Sequence, residues 1–212
     1  MTSLIDLVVA GDLALLRLVN GNGSPWLDPW MALVSSWKAV LWPASALLAL
    51  LFLTGRLREK VIVAFGTAII LMGDAGICQP LKRLVDRPRP YIALSGVRVP
   101  RPDGSVVTSP ITGVHSASMP SNHAFNIATF ALLLSVFYGG WAHLGWVFAV
   151  IVACSRVYLG THYPSDVVVG LALGLCWGLV AVALGRRLWS GLGPRLWPAW
   201  HERHPGLLPP AR

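Results

Sequence analysis

Long apolar runs constrain this chain more than any other feature of its sequence. A helix that crosses a bilayer needs about 20 mostly apolar residues, and the chain contains several runs of that kind. Only 12% of its 212 residues are charged, whereas a soluble domain carries about 25%, so buried helices of a soluble protein are a poor explanation. The sequence therefore predicts an all-α polytopic membrane protein, a helical bundle with five strong transmembrane helices over residues 31–53, 61–79, 123–139, 141–158 and 167–185.

The N-terminal segment is apolar but less suited to the bilayer core. Residues 3–19 carry Asp6, Asp12 and Arg17, and each charge at mid-membrane costs about 2.5–3.5 kcal/mol on the insertion scale. We expect an interfacial helix there, with a sixth span as the alternative. A turn-forming stretch, residues 20–25, ends the segment. The first residues lack a basic n-region and a cleavage motif, so we expect no removable signal peptide.

The distribution of basic residues indicates which partners the chain meets. The formal net charge is +8, but the basic residues gather at the ends of apolar runs and in one polar loop, not on a soluble basic face. We therefore expect membrane lipids as partners and no nucleic acid. Three cysteines show neither a paired framework nor metal-ligand spacing, so we expect no disulfide, no metal site and no cofactor. These cysteines are Cys78, Cys154 and Cys176.

The long polar connection between the second and third spans, residues 80–122, contains a hairpin signal. Long loops in compact proteins are usually functional or disordered. Residues 97–99 and 106–108 are β-prone, and they flank the turn-forming sequence Arg-Pro-Asp-Gly at 101–104. The sequence predicts a small hairpin outside the membrane.

Three polar clusters lie at the ends of spans, and because successive spans run in opposite directions, all three belong to one membrane face. Taken singly, each has a structural explanation: a basic patch that binds lipid headgroups, a capping histidine, and a hydrogen bond within a helix. The clusters are Lys82 with Arg89-Pro90, then Pro120-Ser121-Asn122-His123, and then Ser155-Arg156 with His162 and Asp166.

Together the clusters indicate an anion site with a nucleophile. Lys82, Arg89 and Arg156 can neutralise a phosphate, the arginines with forked donors and the lysine as a point charge. A neutral imidazole can attack phosphorus, and a carboxylate one helical turn away fixes its tautomer and stabilises the imidazolium. His162 and Asp166 have that spacing.

A second imidazole is then needed to give the leaving group its proton and afterwards to activate water. His123 is the candidate. Ser121 and the backbone N–H groups of residues 122 and 123, at a helix start, can add donors to the developing charge.

The three clusters resemble the signatures of the type 2 phosphatidic acid phosphatase family, in the same order and over residues 82–166. The resemblance implies a metal-independent membrane phosphatase with a helical-bundle core, which hydrolyses lipid phosphates or diphosphates at the extracytoplasmic surface. It implies that His162 is the nucleophile, His123 the general acid and Asp166 the orienting carboxylate. The residues implied to hold the phosphate are Lys82, Arg89, Ser121, Asn122 and Arg156.

Asn122 departs from the family pattern, which usually has glycine at this place. Asn tolerates left-handed backbone better than most residues, so we expect the turn to survive, while the side chain either crowds the pocket or adds a donor. Asp74, inside the second span, is a further candidate because ionisable residues in membrane segments are usually functional. We favour a structural pairing for it, near the active-site end.

The resulting interpretation has three parts: an N-terminal interfacial helix and turn (1–24), a membrane-embedded phosphatase domain (25–188) and a cytoplasmic tail (189–212). We expect hydrolysis of a terminal phosphate from a lipid phosphate or polyprenyl diphosphate through a phospho-histidine. Basic residues are nearly equal on the two sides, so the orientation rests on the resemblance, which places the active site on the extracytoplasmic side of the cell membrane. A lipid phosphotransferase and a non-catalytic lipid-headgroup binding or transport protein are the alternatives. A haloperoxidase is disfavoured because those proteins are soluble.

Overall fold

A computed structural model describes residues 3–205, apart from the side chains of residues 37–44 and 47. The protein is mostly helical, as predicted. A π-helical turn, Asp74–Cys78, joins α4 to α5, and a 3-10 turn, Gly140–His143, precedes α8. The helices are α1 Leu4–Gly21, α2 Asp28–Ser35, α3 Trp37–Thr54, α4 Leu57–Gly73, α5 Gln79–Val85, α6 Pro90–Ala93, α7 Asn122–Tyr138, α8 Leu144–Tyr158, α9 Pro164–Leu196 and α10 Pro198–Arg203.

Membrane-spanning character is evident from helix length and composition. Within the described part of the chain, three helical segments are long and apolar enough to cross a bilayer: Leu57–Val85, Gly140–Tyr158 and Pro164–Leu196. They contain three of the predicted spans. A fourth predicted span coincides with α7, which is apolar but has only 17 residues. The protein is therefore a multi-pass membrane protein.

The span predicted over residues 31–53 is divided into α2 and α3. Some of its side chains, those of residues 37–44 and 47, are not described. The backbone is extended at Ser36, with ψ of 114°, and this ends α2. At the break, the carbonyl and the hydroxyl of Ser35 accept hydrogen bonds from Arg156. A partner from a distant helix therefore satisfies the end of α2, which local hydropathy does not reveal.

Helix α9 continues to Leu196, past the predicted end of its span and into the segment assigned to the tail. Pro194 lies inside its last turns. The short helix α10 packs back on this end, where the rings of Trp189 and Trp200 meet edge to face at 6.4 Å and the N–H of Trp197 donates to the carbonyl of Gly193. Residues 206–212 of the predicted tail lie outside the described residues.

The π-helical turn Asp74–Cys78 precedes a proline. Pro80 has no N–H to donate to the carbonyl four residues earlier, and its ring crowds that carbonyl. A wider turn accommodates the ring without ending the helix, as in other helices that a proline interrupts. The continuous segment Leu57–Val85 thus carries Lys82 to the active-site end of the bundle.

Helices α7 and α9 pack closely, and small residues allow the close approach. A Cβ atom at Gly170 would lie 2.6 Å from the carbonyl oxygen of Ser121, and one at Gly174 would collide with the carbonyl of Phe125. Thr129 joins the pair by donating its hydroxyl to the Gly174 carbonyl at 3.0 Å. Close backbone approach through small residues is the usual packing of membrane helices, and here it brings the start of α7 against the start of α9.

The predicted hairpin is present as an antiparallel pair, β1 Arg98–Pro100 and β2 Val106–Thr108. Asn20, at the end of α1, holds it to the bundle: its side-chain amide donates to the carbonyls of Arg98 (2.8 Å) and Tyr158 (2.7 Å) and accepts from the N–H of Arg98 (2.9 Å). Leu16 of α1 is buried in a core cluster with residues of α7, α8 and α9. Helix α1 therefore contacts the ends of α8 and α9 that carry the polar clusters.

Candidate active site

The His162–Asp166 pair lies at the junction of α8 and α9. Gly160 adopts φ of +63°, a conformation that suits glycine, and it turns the chain after α8. The N–H groups of Thr161 (3.1 Å) and His162 (3.3 Å) then donate back to the carbonyl of Arg156. This turn places a phosphate-binding candidate and the candidate nucleophile side by side.

The imidazole of His162 is 1% exposed and points its Nδ1 at Asp166. The distance from Nδ1 to Oδ2 is 3.7 Å, longer than a hydrogen bond, and Nδ1 has no hydrogen-bond partner among the described residues. Burial, followed by the charges of Arg89 and Arg156, holds the pKa of His162 well below its usual value. The imidazole is therefore neutral at neutral pH, the form that can attack phosphorus.

A cavity of about 490 Å³ opens in front of this imidazole. Lys82, Arg89, Asn122, His123 and His162 are among its lining residues. The structure thus brings together five of the residues that the sequence proposed. Arg156 and Asp166 lie behind the lining, 7% and 0% exposed.

The phosphate-binding candidates retain unused donor capacity. Lys82 donates from Nζ to the carbonyls of Ala117 (3.1 Å) and Ser118 (3.4 Å). These neutral acceptors hold the ammonium group at the cavity without cancelling its charge. The Nε atoms of Arg89 and Arg156 are buried without a hydrogen-bond partner in the described part of the protein. Burial lowers the pKa of Arg89 from its ordinary value. Buried cations without carboxylates are costly, so this arrangement is suited to receive an anion.

The start of α7 contributes a cap and a second imidazole. Ser121 is fully buried; its Oγ accepts the N–H of Ala124 (3.4 Å), and its own N–H donates to the carbonyl of Asp166 (3.0 Å). The hydroxyl that was predicted to bind substrate is thus used as a helix cap. His123 follows it, lines the cavity and interacts with the backbone carbonyl of Ser35.

Asn122 does not use the left-handed backbone that the sequence suggested. It is the first residue of α7, and Asp86 is the non-glycine residue with positive φ in the described chain. Its side-chain Nδ2 donates to Oδ1 of Asp74, whose Oδ2 lies 3.4 Å from Nε2 of Gln79. Asp74 therefore pairs with amides, and no basic side chain among the described residues lies within ion-pair distance of it. The contact with Asp74 uses one of the two N–H donors of the Asn122 amide, while Asn122 still lines the cavity.

Sequence reasoning missed the cation that holds Asp166. Arg87 donates from Nη1 to Oδ1 of Asp166 (3.0 Å) and to Oγ of Ser165 (2.8 Å), and from Nη2 to Oδ2 of Asp12 (2.7 Å). Its guanidinium also lies over the ring of Tyr163, 3.7 Å from the centroid. One signal was available: a carboxylate such as Asp12 within an apolar helix needs a partner.

Comparisons with known proteins show which family the chain resembles. The PAP2 superfamily profile matches residues 60–190. Decaprenylphosphoryl-5-phosphoribose phosphatase of Mycobacterium tuberculosis is 34% identical over 144 residues, which cover 68% of this chain and 71% of that protein. Undecaprenyl-diphosphatase of Sulfolobus acidocaldarius is 29% identical over 163 residues, covering 76% and 71%. The crystal structure of Aquifex aeolicus LpxE superposes with a TM-score of 0.62 at 28% identity, covering 81% of this chain and 94% of that one.

Proposed function

Because the chain belongs to the PAP2 superfamily of membrane phosphatases, we propose that it removes a terminal phosphate from a lipid phosphate or polyprenyl diphosphate through a phospho-histidine on His162. The observation that carries the proposal is the buried, neutral imidazole of His162, with Nδ1 directed at Asp166 and cationic side chains around the cavity in front of it. The relatives that support this substrate class act, by their names, on polyprenyl diphosphates and phosphorylated polyprenyl sugars.

The first chemical step forms a P–N bond. The Nε2 lone pair of His162 attacks phosphorus while Asp166 stabilises the positive charge that develops on the ring. The Nδ1–Oδ2 distance of 3.7 Å has to shorten by about 1 Å for a full hydrogen bond. The P–O bond to the lipid breaks, and the leaving oxygen takes its proton from His123, which is in its imidazolium form once the phosphate dianion lies beside it.

The second step breaks the P–N bond. The now neutral imidazole of His123 takes a proton from water, the resulting hydroxide attacks phosphorus, and inorganic phosphate leaves from a regenerated His162. Lys82, Arg89 and Arg156 stabilise the phosphate oxygens in both steps, since preorganised donors are most effective where negative charge develops. The proposal includes metal independence, and among residues 3–205 no group of three or more His, Cys, Asp or Glu side chains has a geometry suited to a metal ion. Activity should persist in chelator.

The experiment that tests this function traps the intermediate. Purified protein is given lipid phosphates and a polyprenyl diphosphate, and both phosphate release and acid-labile, base-stable protein phosphate are measured. The His162→Ala variant should remain folded and lose turnover by about 10³-fold or more, because positioning cannot replace a nucleophile. The His123→Ala variant should still be phosphorylated by a substrate with a good leaving group, which needs little protonation. Near-normal turnover by His162→Ala contradicts the proposal, and transfer of phosphate to another lipid with little release would identify a phosphotransferase.

We also propose that the cavity faces the extracytoplasmic side. Single cysteines are placed in a background without the native ones and labelled in intact cells with a membrane-impermeant thiol reagent. Ser105, exposed in the hairpin turn, is one site, and Thr54 at the exposed end of α3 is the other. Gly55 is unsuitable because a Cβ atom there would collide with the carbonyl of Leu51. Labelling is expected at position 105 and not at 54, and the reverse pattern contradicts the proposal.

A further inference from the structure

Helix α1 lies outside the stretch that the PAP2 superfamily profile matches, which begins at residue 60, yet it reaches the candidate nucleophile. Its outer face exposes large apolar side chains such as Leu4, Leu7 and Leu15. Its inner face carries Asp12, which is 3% exposed. A carboxylate so deeply buried needs strong partners, and those partners are the residues that hold the His162–Asp166 turn.

Asp12 supplies the N-terminal cap of α9 from another helix. Its Oδ1 accepts the backbone N–H of Ser165 (2.8 Å), and its Oδ2 accepts the hydroxyl of Ser165 (2.5 Å). The N-cap residue of α9 is Tyr163, whose side chain makes no capping hydrogen bond. The first N–H groups of a helix have no partner within it, so Asp12 takes the place that a Ser or Asp N-cap would fill.

Arg87 connects Asp12 to Asp166. One guanidinium group bridges the two carboxylates, at 2.7 Å to Asp12 and 3.0 Å to Asp166. The second oxygen of Asp166 accepts the N–H of Tyr163 (2.8 Å). Without Asp12, the full charge of Arg87 would act on Asp166 alone and would weaken the negative field that this carboxylate exerts on His162.

We propose that Asp12 is a positioning residue for the transfer of phosphate to His162. Through its contacts with Ser165 and Arg87, Asp12 fixes the position of the Asp166 carboxylate and the strength of the negative field that Asp166 exerts on the imidazole. The inference rests on the proposed function. It makes α1 a functional part of the active site, although Asp12 is buried and is not among the residues that line the cavity.

The chain provides a matched control for this inference. Asp28 is also 3% exposed and also pairs with an arginine, Arg98, at 2.7 Å. It accepts a second hydrogen bond from the hydroxyl of Tyr158 (2.6 Å). This pair anchors the hairpin to α2 and α8, and its two side chains form no hydrogen bond or ion pair with residues 162–166 in the described part of the protein. Loss of either carboxylate removes a buried ion pair, but only one of them touches the turn that carries the nucleophile.

The experiment compares Asp12→Asn with Asp28→Asn in the full-length purified enzyme. We measure kcat and KM for lipid phosphate, the rate of phospho-enzyme formation in a rapid-quench burst, and the unfolding midpoint. Asp12→Asn should lower kcat and the burst rate by about 10- to 100-fold, the scale of small misplacements of reacting groups, with KM within about threefold. Asp28→Asn should lower the unfolding midpoint to a similar degree while kcat stays within about threefold of wild type.

Equal kcat for Asp12→Asn and Asp28→Asn would overturn the inference, because a merely structural role affects the amount of folded enzyme and not its rate. If Asp12→Asn does not fold, the Ser165→Ala variant tests the inference instead. It removes the hydroxyl that contacts both Asp12 and Arg87 and keeps the backbone N–H that donates to Asp12. That variant should lower the burst rate by about 3- to 10-fold, and an unchanged rate would overturn the inference. The His162→Ala variant separates the two proposals. If His162→Ala loses turnover while Asp12→Asn does not, only the role of Asp12 is wrong. If His162→Ala remains active, the proposed function itself is wrong.

Discussion

Four arginines at the same end of the bundle divide into two kinds. Arg87 and Arg98 are paired with buried carboxylates at 2.7–3.0 Å. Arg89 and Arg156 have no carboxylate within 4.0 Å among the described residues, and each has a buried Nε without a partner there. All four belong to segments that meet around α8 and α9.

Paired and unpaired arginines are expected to have different roles, the first in stability and the second in anion binding. A paired arginine contributes to the native state, because removal of one partner leaves an uncompensated charge. An unpaired buried cation makes the empty site less stable and gains its partner only when an anion binds. The paired arginines are therefore expected to matter for folding and for positioning, and the unpaired ones for phosphate. The following substitutions test that division, in order of decreasing effect.

The largest effect is expected from Arg89→Gln. Loss of a donor aimed at the developing phosphate charge lowers rates by about 10²–10³-fold, so kcat/KM should fall on that scale. The unfolding midpoint of the substrate-free protein should not fall, since the variant removes a buried, unpaired charge. Lipid-phosphate kinetics and thermal unfolding in detergent measure both quantities. A stable, active variant would show that Arg89 does not hold the phosphate.

A smaller effect of opposite kind is expected from Arg98→Gln. The side chain is 23% exposed and its partner Asp28 is 4% exposed, so the pair is only partly buried and its loss should cost about 1–3 kcal/mol of unfolding free energy. kcat should remain within about threefold of wild type. Denaturant unfolding and the same kinetic assay check this, and a large loss of kcat with an unchanged unfolding free energy would break the division between paired and unpaired arginines.

The smallest effect concerns stability at acidic pH. Burial and the charges of Arg89, Arg156 and Lys82 lower the pKa of His162 well below 6.5 in the folded protein, so below pH 6.5 the unfolded chain binds more protons than the native one. Stability therefore falls as pH drops from 6.5 toward the lowered pKa, by up to about 1.4 kcal/mol per pH unit. Arg89→Gln should raise the pH at which this fall levels off, because it removes one cause of the lowered pKa.

Arg98→Gln is the control for the pH dependence, since Arg98 is not among the charges that lower the pKa of His162. Its unfolding free energy should be lower at every pH but should follow the wild-type slope. Denaturant unfolding at several pH values from 6.5 downward gives both the slope and the pH at which the slope levels off. The same level-off pH in wild type and Arg89→Gln would show that Arg89 does not act on His162.

The sequence motifs supplied five of the residues that line the cavity. Lys82, Arg89, His123 and His162 line one cavity, because alternating spans return each motif to the same end of the bundle. The hairpin was also predictable, since β-prone runs flank a strong turn. The alternating direction of the spans was sufficient for the cavity, and local turn chemistry was sufficient for the hairpin.

Other features depended on contacts between distant segments. Hydropathy predicted one span over residues 31–53, but the structure breaks it at Ser36 and places Ser35 on Arg156. The predicted span ended at residue 185, but α9 continues to Leu196 and α10 packs on its last turns. Backbone tolerance was the argument for Asn122, yet the residue is helical and its amide pairs with Asp74.

The sequence by itself determined the membrane class, the helical fold and several of the residues that line the cavity, because bilayer length, apolar composition and motif order are local properties of the chain. Only the tertiary structure decided which arginines pair with a carboxylate and which have no carboxylate partner among the described residues. Arg87 and Arg89 are two residues apart in one polar segment and look equivalent in the sequence. Arg87 pairs with Asp12 and Asp166 because α1 and α9 meet beside it, whereas Arg89 lines the cavity. The role of a buried charge depends on its neighbours in space, and those are set by the packing of distant helices.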